Sequence, residues 1–541
     1  MFEQQQPFAN LRRMMASMTA SLLTMTVALG PSVTPAFASS AKPVTKQAAS
    51  ATATPIQHLV VIFQENVSFD HYFGTYPNAL NPKGEPKFKA ASKTPTVNGL
   101  TNALLNNNPN LNPANGAGAS NPFRLDRSQA VTPDQNHDYT AEQQAFDAGL
   151  MDLFPAFASS GGNEVLGYFD GNTVTGLWNY AQSFAMSDNS YSTTFGPSTP
   201  GVINLVSGQT NGVTATLNGT GDEVAGGSDG SLTVIGDPDP IGDACSNPSR
   251  NQVTMGSKNI GDLLSAAGVT WGSFMGGFDL TVVNPNGTTG CSRSSANAVN
   301  GVATKDYIPH HSFFNYHSST SNPSHTRPAS IAEIGNAGQA NHQYDLHDFF
   351  PAAAAGNLPA VSFLKAQAYQ DGHAGYSDPL VEQTFLTNTI NFLETLPTWS
   401  STAVVVMYDD SDGWYDHQIG PIFNTSTGPA DALTGPNACG TAATALPGLN
   451  PANTHAFGRC GYGPRQPLLV VSPWARQNFV DHSVTDQTSI IRFVEDNWLS
   501  GQRIGQGSFD ALANSITQMF NFSKIRNDGT LFLNPSTGEK E

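Results

Sequence analysis

The sequence predicts an α/β fold: a doubly wound, mostly parallel sheet that is sandwiched by helices and carries loop-rich insertions. Short apolar runs without polar alternation recur along the chain, and such runs are typical of strands buried on both faces. Helical stretches lie between them, and an alternation of strand and helix favours a parallel sheet covered by helices. Ligands bind beyond the carboxyl ends of such strands. The polar residues that end the runs are therefore the first candidates for a functional site.

The candidate strands and helices follow one another along the chain. The runs that predict strands occupy residues 58–63, 360–364, 402–408 and 467–471. The stretches that predict helices occupy residues 378–396 and 486–499. Glu65 and Asn66 come soon after the first run, and Asp409 and Asp410 come directly after the third. We expect these polar side chains to lie at one edge of the sheet.

The composition limits the classes of partner. The chain has 541 residues, and the 39% that are hydrophobic suffice for a large core. Only 12% of the residues are charged, about half of the usual quarter. With 42 acidic and 24 basic side chains the formal net charge is −18, which argues against a nucleic-acid partner and against electrostatic docking on anionic lipid. Asn, Ser, Thr and Gly supply the polar surface instead, as is common in secreted proteins.

The N-terminal segment predicts export. Two adjacent arginines precede a charge-free, moderately apolar stretch at residues 14–30, and residues 36–38 have the small-x-small pattern of a cleavage site. We therefore expect a signal peptide at 1–38, a flexible leader at 39–55, and a secreted or periplasmic protein without stable membrane insertion after cleavage. The alternative is a membrane anchor, but the stretch is shorter than the roughly 20 residues of a span. The paired arginines are compatible with the twin-arginine route.

The remainder is expected to form a single domain at residues 56–535, with insertions near 211–256 and 421–463. Each insertion contains or borders cysteines. None of the four cysteines belongs to a CxxC pair, so a zinc knuckle is not indicated, and two disulfides are their simplest use in an oxidising compartment. Three pairings are possible, and sequence proximity favours Cys245–Cys291 and Cys439–Cys460.

An acidic segment indicates a metal site. Residues 408–417 read YDDSDGWYDH, which places four aspartates and a histidine within nine residues of a chain that is poor in charge. Adjacent carboxylates at a strand end repel each other unless a cation or a proton lies between them. Oxygen ligands suit a hard or borderline divalent ion, so Asp409 and Asp410 are candidate ligands. Glu65 and Asn66 are candidates to complete the same site. The alternatives are a solvated acidic turn and an ordinary strand-to-loop transition.

One serine and four histidines are candidates for catalysis. Ser198 lies in the segment 196–200, GPSTP, ahead of an apolar stretch, a pattern that marks a helix start. A helix N-terminus stabilises a phosphate or an alkoxide, whereas the local pattern alone is typical of a serine that only caps the helix. Histidines in polar or Gly-containing loops can donate to phosphoryl oxygens or protonate a leaving group, although each alone is also compatible with a structural role. They are His137, His310, His311 and His373.

Six segments together resemble one family. Residues 65–74, ENVSFDHYFG, resemble the opening motif of the bacterial phospholipase C and acid phosphatase A phosphoesterases. The other matching segments follow in the same order as in that family: 134–137, 196–200, 307–311, 371–379 and 408–417. The phospholipase branch usually has Thr where this chain has Ser198, and the form of the 408–417 segment looks closer to the acid phosphatase branch.

The resemblance implies membership of the alkaline phosphatase superfamily, an alkaline phosphatase-like sheet and a single catalytic phosphoesterase domain. It implies that Ser198 is the nucleophile, and it implies a divalent ion of unassigned identity as cofactor. The implied metal-site residues are Glu65, Asn66, Ser198, Asp409 and Asp410. The residues implied around the phosphoryl group are His137, His310, His311 and His373.

The function that the resemblance implies is a secreted phosphoric ester hydrolase of the acid phosphatase or phospholipase C type. Its substrates would be small phosphomonoesters or phospholipid phosphodiesters, cleaved through a phosphoserine intermediate. A strict phosphatidylcholine-type phospholipase C is the alternative within the family. A secreted sugar-binding or adhesive protein is the non-enzymatic alternative, and it would not require Ser198 to converge with Asp409 and Asp410. A sulfatase is disfavoured because residues 198–202 lack the arginine of the sulfatase motif.

Overall fold

The computed structural model of the chain describes residues 51–219, 232–423, 426–440, 459–527 and 529–541. The predicted signal peptide, most of the predicted leader and parts of both predicted insertions lie outside these residues. The elements below all belong to one compact unit, Ala49–Glu541. No helix within the described ranges combines the length and the apolar character that a membrane crossing needs.

A nine-stranded sheet forms the centre of the fold. Its strands are, in chain order, β1 (His58–Gln64), β2 (Ala185–Tyr191), β3 (Trp271–Met275), β4 (Gln343–Asp345), β5 (Val361–Lys365), β6 (Thr402–Tyr408), β7 (Arg465–Val471), β8 (Phe479–Asp481) and β9 (Thr485–Asp486). They lie in the order β4-β3-β5-β1-β6-β7-β2-β8, and β9 also pairs with β2. The apolar side chains of β1, β5 and β6 are buried along the whole strand, which is why these runs do not alternate with polar residues.

The predicted α/β class and the four predicted strands are confirmed. Every pairing in the central sheet is parallel except those of β7, which runs antiparallel to β6 and to β2. The polar residues that end the run 467–471 were candidates for the site, as were those that end the other runs, and this prediction is wrong because the run ends at the opposite edge. Its opposite end, Arg465, lies at the edge where the parallel strands end, because an apolar run carries no information about its direction.

Helices accompany the strands. The described helices are α1 (Phe69–Phe73), α2 (Asn102–Asn106), α3 (Tyr139–Phe146), α4 (Phe154–Phe157), α5 (Thr175–Ser183), α6 (Ser198–Ser207), α7 (Ile260–Ala266), α8 (Leu346–Ala354), α9 (Pro379–Glu394) and α10 (Thr488–Trp498). Both helices predicted from the sequence are present as α9 and α10. Helix α9 begins where predicted because the Asp378 carboxylate accepts the N–H groups of Leu380 and Val381, which caps its first turn.

Smaller sheets lie outside the central one. The predicted insertion near 211–256 carries a four-stranded sheet in the spatial order Leu232–Thr233, Asn211–Thr216, Gln252–Met255 and Asp239–Pro240. Two-stranded sheets join Ser294–Ala296 to Ala303–Lys305 and Phe123–Arg124 to Gly167–Tyr168. The favoured disulfide pairing is confirmed: the bonds are Cys245–Cys291 and Cys439–Cys460.

Candidate active site

The register of β1 and β6 brings two acidic segments together. The strands are parallel neighbours, and Gln64 is paired with Tyr408. Glu65 and Asn66 therefore leave the sheet beside Asp409, whose Oδ1 accepts the Asn66 N–H at 3.1 Å. Asn66 has a φ of 63°, a left-handed conformation that Asn tolerates better than most residues. The polar side chains expected at one edge of the sheet do lie together.

Ser198 lies at the same edge. It is the first residue of α6, and the capping residue, Pro197, has no side chain that accepts a hydrogen bond from the first turn. The Ser198 hydroxyl lies 3.0 Å from Glu65 Oε2 and 3.1 Å from Asp410 Oδ2. The helix reaches the sheet because it has Gly201, where a Cβ atom would lie 2.4 Å from the Asp409 carbonyl oxygen. The geometry disfavours a merely capping serine, and the convergence with Asp410 disfavours the sugar-binding alternative.

The surroundings of Ser198 fit a divalent cation. The carboxylates of Glu65, Asp409 and Asp410 offer oxygen atoms within 4.8 Å of one another. Asn66 is buried, and its Oδ1 has no hydrogen-bond partner among the described residues. Burial and the charge of Asp409 raise the pKa of Glu65 and of Asp410 well above the usual range. This set of hard oxygen donors with excess negative charge is what a divalent ion would neutralise.

Lys365 contacts the same carboxylates, and the sequence reasoning did not identify it. Its Nζ pairs with Glu65 Oε1 and lies 3.4 Å from Asp409 Oδ2. His311 Nδ1 also lies 3.0 Å from Glu65 Oε1. The two oxygens of Glu65 therefore face different partners, with Oε1 toward Lys365 and His311 and Oε2 toward Ser198. The one available signal was that Lys365 comes directly after an apolar run of the sequence, as Asp409 does.

A cavity of about 370 Å³ opens beside this cluster. All four histidines predicted from the sequence line it, together with residues that the sequence reasoning missed. The polar wall residues to which the sequence assigned no role are Asp134, Gln135, Asn136, Asp138, Asp237, Arg250 and Tyr376. Four of them lie within the matching segments 134–137 and 371–379. Asp237 and Arg250 belong to the predicted insertion near 211–256, which therefore contributes to the wall. Nothing in the local sequence of an insertion indicates that its side chains reach a site on another part of the fold.

The histidines differ in their expected protonation. His137 Nδ1 lies 3.0 Å from the Gln135 carbonyl oxygen and 3.3 Å from Asp412 Oδ1. Burial lowers the pKa of His137, but the carboxylates of Asp410 and Asp412 outweigh it and hold the pKa well above the usual value. The pKa of His373 is lowered, mainly by burial. His137 is thus suited to donate a proton and His373 to accept one.

The two remaining histidines lie on the short 3-10 helix Pro309–His311. Burial, followed by the charge of His310, lowers the pKa of His311 well below the usual value. His310 Nδ1 lies 3.7 Å from Asp239 Oδ1, a carboxylate of the insertion. His311 therefore faces Glu65, whereas His310 faces the insertion.

Glu142 connects two loops of the site. Its Oε1 accepts the Ser411 hydroxyl at 2.6 Å, and its Oε2 accepts the Gly196 N–H at 2.9 Å. Gly196 precedes Ser198 by two residues, and Ser411 follows Asp410. Burial raises the pKa of Glu142 to about 7. This buried carboxyl group fixes the distance between the serine loop and the acidic loop.

The arrangement has the parts of a phosphoryl-transfer site. A serine hydroxyl lies at the positive end of a helix and beside a group of carboxylates that suits a cation. A histidine held in its charged form and a neutral histidine line the adjoining cavity. These are the groups that a nucleophilic displacement at phosphorus uses for attack, charge neutralisation and proton transfer.

The sequence is similar to those of several phospholipases C. A non-haemolytic phospholipase C of Pseudomonas aeruginosa is 26% identical over 486 residues, which cover 87% of this chain and 58% of that protein. Phospholipase C A of Mycobacterium tuberculosis is 24% identical over 488 residues, or 87% of this chain and 78% of that protein. Non-specific phospholipase C6 of Arabidopsis thaliana is 24% identical over 446 residues, or 79% of this chain and 63% of that protein.

The chain thus spans less than two thirds of the length of the Pseudomonas relative. The phosphoesterase family itself matches residues 56–499. That range includes Glu65, Ser198, Asp410 and the four cavity histidines, so the match covers the whole of the candidate site. The chain belongs to the phosphoesterase family.

Proposed function

We propose that this chain is a secreted phosphoric ester hydrolase of the acid phosphatase or phospholipase C type, which acts through a phosphoserine intermediate on Ser198. The observation that carries the proposal is the Ser198 hydroxyl, 3.0 Å from Glu65 Oε2 and 3.1 Å from Asp410 Oδ2 at the start of α6. Membership of the phosphoesterase family supports the reaction class. The phospholipase C names of three relatives support phospholipid diesters as substrates beside phosphomonoesters.

The proposal includes the finer fold and the location. We place the chain in the alkaline phosphatase superfamily, with a doubly wound sheet and a single catalytic domain at residues 56–535. The largely parallel central sheet supports this arrangement. The N-terminal pattern at residues 1–38 and the two disulfides support export.

A divalent ion completes the proposed site. Its ligands would be Glu65, Asn66, Ser198, Asp409 and Asp410. When bound, it supplies positive charge that lowers the pKa of the serine hydroxyl and neutralises the carboxylates around it. The buried Asn66 Oδ1 without a hydrogen-bond partner among the described residues supports this ligand set.

Each residue of the site then has its own role in the reaction. Ser198 Oγ attacks phosphorus in line with the leaving oxygen, and its proton passes to the neighbouring carboxylate of Asp410. The imidazolium of His137 protonates the leaving oxygen, and the ring of His310 neutralises charge on the phosphoryl group. In the second step water attacks phosphoserine, His373 accepts the proton of that water, and Ser198 recovers its own from Asp410. Transfer of a proton from His373 to His137, whose ring centroids lie 6.2 Å apart, then restores both histidines.

Substitution of the serine tests the proposal. We expect Ser198→Ala to lower kcat for p-nitrophenyl phosphate and for phosphatidylcholine by about 10³-fold or more, as for loss of a nucleophile. Ser207→Ala is the matched control, because Ser207 lies buried at the other end of α6 and its hydroxyl lies 3.0 Å from the backbone oxygens of Ile203 and Gln209. Acid quenching during turnover, followed by mass spectrometry, is expected to find phosphate on Ser198. Wild-type activity in Ser198→Ala would refute the assignment.

A strict phosphatidylcholine-type phospholipase C is the second candidate, and the relatives' names favour it. The two candidates differ in the substrate that is turned over. Purified enzyme is expected to hydrolyse p-nitrophenyl phosphate and phosphatidylcholine under the first, but only phosphatidylcholine under the second.

A further inference from the structure

The insertion near 211–256 enters the candidate site at the nucleophile helix. Asp237 Oδ1 accepts the N–H of Thr199 at 2.8 Å, one residue after Ser198. Asp237 and Arg250 both line the cavity. The same insertion is joined by the Cys245–Cys291 disulfide to the loop after β3. It is therefore part of the cavity wall rather than a separate surface lobe.

Arg250 is held in this wall by neighbouring groups of the insertion. Its Nη2 donates to the Asp237 carbonyl oxygen, and its Nε lies 3.8 Å from Asp239 Oδ1. Asp239 is buried and also lies 3.7 Å from His310 Nδ1. One carboxylate thus faces both Arg250 and His310, and both of these residues line the cavity. Asp239 and Arg250 also lie on or beside paired strands of the small sheet, which makes the support rigid.

Arg250 differs in charge from the other residues of the cavity wall. Among the described residues that line the cavity, Arg250 is the one arginine or lysine, whereas three are aspartates: Asp134, Asp138 and Asp237. An arginine stays charged at every physiological pH and presents a planar fork of N–H donors that matches phosphate oxygens. The histidines of the wall do not offer such a permanent charge.

We propose that Arg250 is a specificity-determining residue that binds non-esterified phosphoryl oxygens and favours phosphomonoesters over phosphodiesters. This inference rests on the proposed phosphoric ester hydrolase function. A monoester carries close to two negative charges at neutral pH, since its second pKa is about 6. A diester carries one charge and has one oxygen fewer to offer to the guanidinium. A fixed cation in the wall therefore stabilises the bound monoester more strongly.

The test compares two substrates in matched variants. We expect Arg250→Gln to lower kcat/KM for p-nitrophenyl phosphate at neutral pH by about 30-fold, as for loss of a hydrogen bond to a charged group. We expect a loss of about threefold or less for bis(p-nitrophenyl) phosphate. Arg250→Lys keeps the charge without the fork and is expected to fall between Arg250→Gln and the wild type.

The control is Arg492→Gln. The Arg492 side chain is 30% exposed and pairs with one aspartate and with backbone oxygens, against 35% exposure for Arg250. It lies on α10, away from the described cavity lining. We expect both its kcat/KM values to equal those of the wild type. Equal losses for the two substrates in Arg250→Gln, or no loss, would overturn the inference.

Binding of inorganic phosphate gives a readout that does not depend on turnover. Calorimetry on the intact protein is expected to show about tenfold weaker binding in Arg250→Gln than in the wild type. Equal binding in the two proteins, or no binding to either, contradicts the role of Arg250. If the wild type hydrolyses neither ester but phosphate binding still depends on Arg250, the proposed function fails while the anion-binding role of Arg250 stands. Melting temperatures near that of the wild type confirm that the variants are folded.

Discussion

Two buried charge clusters are built by the same two segments, 65–74 and 408–417, yet their charges are balanced differently. We call the first the serine cluster; its members are Ser198, Glu65, Asp409, Asp410 and Lys365. We call the second the arginine cluster; its members are Asp70, Asp416, His417 and Arg465. All the carboxylates in both clusters are buried.

The arginine cluster is closed on itself. The Arg465 guanidinium donates to both oxygens of Asp416 and to Asp70 Oδ1. His417 Nδ1 lies 2.6 Å from Asp70 Oδ2. Two carboxylates thus face a guanidinium and a histidine, and no oxygen of either aspartate lacks a partner among the described residues. Such a cluster joins helix α1, strand β7 and the segment after β6.

The serine cluster is open. Lys365 is the one cation among its five members, and it contacts two of the three carboxylates, those of Glu65 and Asp409. Asn66 Oδ1 and Asp412 Oδ2, which lie beside the cluster, are buried without a hydrogen-bond partner among the described residues. A buried charge without a partner is unfavourable. The contrast indicates that the excess carboxylates are kept for a ligand, whereas the balanced ones hold the fold together.

The largest expected effect comes from a carboxylate of the open cluster. Asp410→Asn keeps the shape of the side chain but removes its charge beside Ser198. We expect kcat for p-nitrophenyl phosphate to fall about 10⁴-fold, or about 5.5 kcal/mol in activation free energy. The unfolding free energy should not fall, because burial and Asp409 already raise the pKa of Asp410. Steady-state kinetics and urea denaturation measure the two quantities. If Asp410→Asn is inactive because it is unstable, then the serine cluster also holds the fold together and does not differ from the arginine cluster in this respect.

The next largest effect comes from the cation of the closed cluster. Arg465→Met leaves Asp70 and Asp416 buried without their main partner, and we expect the unfolding free energy to fall by about 4 kcal/mol. Activity per folded molecule should stay within about threefold, since Arg465 does not contact Ser198. Arg492→Met, at a partly exposed position of α10, is the control and should change stability by less than about 0.5 kcal/mol. A stable Arg465→Met protein without activity would place the arginine cluster in the chemistry.

The sequence predicts where the acidic segments of the two clusters lie, but it does not predict which cations neutralise their charges. The apolar runs at β1 and β6 predicted parallel strands, and parallel strands bring their carboxyl ends to one edge. That argument predicts that Glu65 and Asp409 lie at the same edge of the sheet, as they do. The pattern could not show that β7 runs in the opposite direction, because apolar side chains pack equally well either way. Arg465 therefore could not be assigned to the same edge.

The site residues that the sequence did not indicate are those whose contacts lie far away along the chain. Lys365 pairs with a carboxylate 300 residues earlier in the chain, and nothing around it indicates that partner. Arg250 lies in a Gly- and Asp-rich insertion whose packing against helix α6 depends on the whole fold. The motif residues were accessible because several chemically distinctive side chains cluster within a few positions, as in the segment 408–417.

A divalent ion is expected to stabilise the fold through the serine cluster and not through the arginine cluster. Chelator-treated wild type should gain about 2.7 kcal/mol in unfolding free energy when an ion is supplied at 100 times its dissociation constant. Asp410→Asn should lose this gain, because it removes a proposed ligand. Arg465→Met should retain it in full. Urea denaturation across Mg²⁺, Mn²⁺, Ca²⁺ and Zn²⁺ measures the effect. The same gain in all three proteins would mean that the ion binds elsewhere.

The smallest expected effect concerns the pH dependence of the closed cluster. Burial lowers the pKa of His417, but the Asp70 carboxylate outweighs it and raises the pKa above the usual value. A raised pKa in the folded state contributes stability that is fully present below the unfolded-state value of about 6.5 and is lost as pH rises through the folded-state value. We expect wild type to exceed His417→Gln by about 1 kcal/mol in unfolding free energy at about pH 6. This difference should shrink steadily above about pH 7. Denaturation midpoints measured across this pH range test it, and a difference that does not change with pH would show that His417 is neutral and that Arg465 alone balances the two aspartates.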